Sequence, residues 1–139
     1  MIRFAHKDRF FISEDLMGFA DRQVEEKVFE TRVDLLLYGA AYSIRNNLSP
    51  AESFQRHDLG MSPSSLSEEF RTSFELIVPA YCEDMSESVP SDAKELMNIV
   101  CCLGIEGARK LAEDWKAMSR SQILNYILMQ EDKGINKSE

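Results

Sequence analysis

A reaction needs groups that can attack, take a proton or hold a metal, and this sequence offers few: two histidines, three cysteines and dispersed carboxylates. Hydrolysis or acyl transfer requires a nucleophile with a base held beside it. His6 and His57 each lie in a segment expected at the surface, and neither sits in a nucleophile motif. Cys101 and Cys102 are adjacent, so on a helix they point in different directions. With Cys82 they make an odd set, and all three read as reduced structural cysteines behaving as small buried hydrophobes. The sequence contains no CxxC, no HExxH and no acidic loop of EF-hand spacing. Glu25–Glu26, Glu68–Glu69 and Glu131–Asp132 are adjacent carboxylates, which do not face each other on a helix and read as solvated faces. Gly104-Ile105-Glu106-Gly107 lacks the other glycines and the lysine of a phosphate-binding loop, so its glycines read as helix-packing residues. No catalytic residue, metal ligand or cofactor site is assigned, and the chain reads as non-catalytic.

The totals suit one domain. At 139 residues a chain buries roughly 70% of its unfolded surface. The apolar run Leu35–Tyr42 is far short of the roughly 20 residues of a membrane span. Met1–Ile12 lacks the continuous apolar stretch of a secretion signal. These features predict a soluble, cytoplasmic protein with no membrane contact. A net charge of −8 opposes binding to nucleic acid, which is driven by neutralising phosphates. The best local basic patch is Arg3, Lys7 and Arg9.

Hydrophobic spacing predicts an all-α protein: a single compact domain of about six or seven helices around a long central apolar helix. Residues 1–12 form an N-terminal arm, 13–130 the helical domain and 131–139 a frayed polar tail. Ser13 caps a short helix carrying Leu16, Met17, Phe19 and Ala20. Val24–Leu48 is the central helix, apolar nearly all round, with Gly39, Ala40 and Ala41 admitting a close neighbour. Its exit, Arg45, Asn46 and Asn47, is the polar cluster there that could reach a partner, and Asn tolerates a left-handed cap. Ser49–Pro50 opens a short helix over Ala51–His57, and Ser62–Pro63 opens the next. That helix carries the stripe Leu66, Phe70, Phe74, Ile77 and Tyr81, and Pro79 is expected to kink or end it. Glu83–Pro90 is the main surface loop. Ser91 caps a helix that Gly104 and Gly107 break or bend, the stripe resuming from Ala108 through Trp115 to Met118. Ser119 or Ser121 caps a last helix bearing Ile123, Leu124, Ile127 and Leu128.

Two segments carry resemblances. Leu59–Phe70, LGMSPSSLSEEF, is similar to the turn and second helix of AraC-type helix-turn-helix proteins. That resemblance implies a transcriptional regulator contacting DNA through Ser64, Ser65, Ser67 and Arg71, within residues 62–71. Three residues depart from the pattern: Arg56 stands where the first helix normally needs a small residue, and Glu68 and Glu69 stand where carboxylates repel phosphates. The segment Phe29–Asn47, FETRVDLLLYGAAYSIRNN, together with Glu106–Met129, resembles small accessory proteins of bacterial DNA phosphorothioation (Dnd-type) systems. This second resemblance implies an accessory or adaptor protein of a DNA-modification or phage-defence assembly. It would act by protein–protein interaction with a larger partner, through a surface that includes Arg45, Asn46 and Asn47, and a homodimer is compatible with it. The adaptor is the leading expectation and the DNA-binding regulator the alternative.

Overall fold

The computed structural model describes residues 1–137, with side chains as far as Gln130. The side chains of the tail expected over 131–139 therefore lie outside the described residues. The protein is mostly helical, with five α-helices: α1 (Met17–Glu25), α2 (Arg32–Arg45), α3 (Glu68–Asp84), α4 (Ala93–Trp115) and α5 (Arg120–Lys137). A small antiparallel sheet joins β1 (Phe11–Ser13) to β2 (Arg56–Asp58), in the register Phe11 opposite Asp58, Ile12 opposite His57 and Ser13 opposite Arg56. Short 3-10 turns precede α1 and α3 at Glu14–Leu16 and Pro63–Ser65.

The continuous helix expected over Val24–Leu48 is two helices. Lys27 adopts φ 59°, Lys27 N–H donates to Val24 O and Val28 N–H reaches back to Gln23 O at 2.9 Å, which terminates α1. Thr31 then opens α2 with a reciprocal capping box: Asp34 N–H donates to Thr31 Oγ1 and Thr31 N–H to Asp34 Oδ2, both at 3.1 Å. Those bonds satisfy amides that an unbroken helix would have spent on carbonyls, so the break costs little. α2 ends as its sequence indicates, with Asn47 at φ 56° and Leu48 N–H donating to Ser43 O. α3 ends the same way at Ser86, φ 57°.

Gly104 and Gly107 do not interrupt α4. They are where it crosses α2: a Cβ on Gly39 would strike Gly104 O, and one on Gly107 would strike Gly39 O. Helical glycine costs roughly 1 kcal/mol each in propensity, and here it lets two backbones touch. Ser43 Oγ donates to Leu103 O at 2.6 Å across the same crossing. Leu35, Leu36 and Ala40 of α2 and Val100, Leu103, Ile105, Ala108 and Leu111 of α4 are fully buried around it. The spine of the molecule is thus a glycine-lined helix pair, with α4 the longer member.

Further expectations are corrected. The chain is not all-α, and the short helix over Ala51–His57 is absent. Ser53 takes φ 49°, and the Arg56 guanidinium stands over the Phe11 ring at 4.1 Å, holding β2 against β1, while donating to Asn98 Oδ1 of α4. The helix expected to begin at Ser62–Pro63 starts later, at Glu68, where Ser67 Oγ accepts from Phe70 N–H. Pro79 neither ends nor interrupts α3, which continues to Asp84. The N-terminal segment is packed into the body: Phe4, Phe10, Phe11 and Ile12 are buried, and Phe4 N–H donates to the buried Glu75 carboxylate at 2.8 Å. Trp115 closes the core at the far end of α4, its ring within 6.5 Å of Phe19, Phe29, Tyr38 and Tyr126.

Candidate docking groove

The face of α2 turned away from α4 is not fully covered. α3 stands beside it, and between the two lies an apolar groove of about 400 Å³. Leu37, Tyr38, Ala41 and Ile44 of α2 form one side, Phe70, Ser73, Phe74 and Ile77 of α3 the other, and Phe29 joins them from the α1–α2 link. The α3 residues recur at spacings of three and four, one helix face. Phe74 is buried, but Phe70 is 44% and Ile77 49% exposed, and Leu76, 56% exposed, extends the apolar surface outward. Tyr81 Oη donates to Leu48 O at 2.5 Å and fastens the C-terminal half of α3 to the end of α2. Phe70–Ile77, earlier in α3, run alongside α2.

Polar groups here are few, and those of Ser73 and Asp34 are already bonded. Ser73 Oγ donates to Glu69 O, and the Asp34 carboxylate accepts the Thr31 amide. Asp34 is the charged residue of the lining. The groove can supply apolar contact and a negative rim, without convergent groups to orient a reacting atom.

The polar residues expected to touch partners are dispersed. Arg45, Asn46 and Asn47 are exposed at the end of α2, next to Ile44 of the groove; Asn46 Nδ2 donates to Tyr42 O, so this amide helps close the helix. Ser64 and Ser65 belong to the 3-10 turn, where Ser65 Oγ donates to Ser62 O, and Ser67 caps α3. Arg71 points elsewhere: it lines a separate cleft of about 310 Å³ with Arg3, His6, Glu68 and Glu75. The structure thus joins Arg71 to the N-terminal basic residue Arg3, while the segment before the helix-turn-helix-like turn is strand rather than helix.

The thiols are poor nucleophiles. Burial pushes the Cys101 thiol up to about 12 and raises Cys82 and Cys102 as well. His57 lies 3.7 Å from Glu14 and His6 lines the Arg71 cleft, so the two imidazoles belong to different places. Among the described residues, no three His, Cys, Asp or Glu side chains converge to hold a metal. No helix among them is long and apolar enough to cross a membrane.

The sequence spacing places Phe70, Phe74 and Ile77 on one helix face without separating core from contact surface. The available signal was the width of the apolar arc: Leu76, Ile77 and Val78 are consecutive, and a helix covered on one side cannot bury all three. Comparison with protein-family models, curated proteins and solved structures returns no match to this chain.

Proposed function

We propose that the protein is a non-catalytic accessory or adaptor subunit that holds a larger protein partner by an apolar segment laid in the α2–α3 groove. The observation that carries this reading is the exposure of Phe70 and Ile77 along a groove whose lining is mostly apolar. Covering them removes apolar area from water at about 25 cal/mol per Å², and aromatic anchors in a recess are typical of the residues that dominate binding energy. The setting, a bacterial DNA-modification or phage-defence assembly, is supported by the likeness of Phe29–Asn47 and Glu106–Met129 to accessory proteins of phosphorothioation systems. Those two pieces meet in space, at Gly39–Gly107 and where Phe29 and Tyr38 touch Trp115.

The test is a comparison of complexes recovered from the native host with the wild-type chain and with Ile77→Glu. Ile77 is half exposed, so the substitution leaves the fold intact. Loss of a stoichiometric partner from the variant is expected. Retention of the same partner in equal amount places the interaction elsewhere and removes the groove from the account.

A further inference from the structure

We infer that the segment held in the groove is a cationic amphipathic helix, an inference that rests on the docking role given to the groove above. The shape argument comes from the α3 wall. Phe70, Ser73, Phe74 and Ile77 occupy positions i, i+3, i+4 and i+7, a length of about 10 Å at 1.5 Å per residue. An amphipathic helix presents its own anchors at the same spacing over the same length, the usual mode of helix-in-groove recognition. An added β-strand is a poorer fit, because both walls are helices whose backbone groups are internally bonded. A small polar ligand is also a poorer fit, because Ser73 and Asp34 already have partners.

The sign of the charge follows from what surrounds the apolar strip. Asp34 is in the lining, and Glu69 stands on the exposed first turn of α3 beside Phe70 and one turn before Ser73, while Glu68 belongs with Arg71 to the Arg3 cleft. Nearby cations are diverted: Arg32 pairs with Asp21, and Arg71 turns to the Arg3 cleft. Arg45, beyond Ile44, is the exposed cation at the other end. The chain as a whole carries −8, so a second copy meets repulsion where a basic helix meets attraction. Lys or Arg flanking the apolar stripe of the partner would lie against Asp34 and Glu69.

The experiment is calorimetric titration of the full chain with two synthetic helical peptides. Both carry leucines at i, i+3, i+4 and i+7; one has lysines on its polar face and the other glutamates. The lysine peptide is expected to bind about tenfold or more tightly than the glutamate peptide, with the advantage shrinking as salt rises. Glu69→Gln should narrow the difference, and Ile77→Glu or Phe70→Ser should abolish binding of both peptides while circular dichroism stays unchanged. Equal affinity for the two peptides, both lost in Ile77→Glu, overturns the cationic inference and leaves the groove reading standing. Binding that ignores Ile77→Glu and Phe70→Ser overturns the groove reading itself, as does failure of both peptides to bind. Sedimentation showing that the free chain pairs through this face, and separates in Ile77→Glu, assigns the groove to a second copy and also overturns the proposal.

Discussion

Gly39 and Gly107 are positions where one methyl group decides how the molecule packs. A Cβ at either meets the opposing helix backbone, which cannot rotate away as a side chain could. Gly107→Ala should therefore destabilise the protein by about 1–3 kcal/mol, the range for forcing atoms into a filled core. Gly18→Ala is the control: α1 has open space there, so relief of glycine's backbone entropy should stabilise by about 0.5–1 kcal/mol. Urea unfolding of the pair measures both, and equal shifts would contradict the backbone contact. Leu36→Asp, at a fully buried position, should abolish cooperative unfolding altogether. Asp15 supplies a pH test. The hydrogen bond from Arg109, at 3.1 Å, is the main reason its carboxyl sits below the ordinary range. A folded value below the unfolded one means stability that is present above the unfolded value and lost as pH falls through the folded one. Both side chains are substantially exposed, so the effect is small, under about 1 kcal/mol. Arg109→Gln should flatten the acid limb of the stability curve, and an unchanged limb would mean the pair contributes nothing.

The elements show what was legible in the chain and what was not. The close-approach reading of Gly39–Ala41 and of Gly104 and Gly107 was available because small residues on an apolar face serve little else than packing. Asn47 as a left-handed cap was equally plain. The break between α1 and α2 had its own signal, Thr31 followed by Asp34 three residues on, but the apolar run after it dominated the periodicity. Thr31→Ala should cost about 1 kcal/mol by removing that cap, measured by the same urea titration. The sheet was illegible for a different reason. β1 and β2 are three residues each and lie far apart in the chain, so neither has a period to detect. They are held by non-local contacts such as Arg56 over Phe11 and Leu59 N–H to Phe10 O. The groove could not be separated from core by spacing, because an exposed apolar stripe and a buried one have the same period.

At the scale of the whole molecule, a tightly packed interior carries a partly exposed apolar face between α2 and α3. The spine of α2 and α4 buries all three cysteines or places them against it, and each thiol is at most 6% exposed. Thiol reagents should therefore label the native protein only as fast as the core opens, and the labelling rates should follow global unfolding through a denaturant series. Prompt labelling of Cys102 in water would reveal a local opening near Ala51, whose amide donates to Cys102 O.

Trp115 gives that arrangement a practical use. It is the single tryptophan in the chain, and its indole ring rests on Phe29 and Tyr38. Both of those rings also line the groove. Under the proposed docking role, a guest pressing on them would shift the surroundings of the one tryptophan, giving an optical reporter of occupancy. Emission from Trp115 can be followed through a titration without a label, at concentrations too low for heat to be measured.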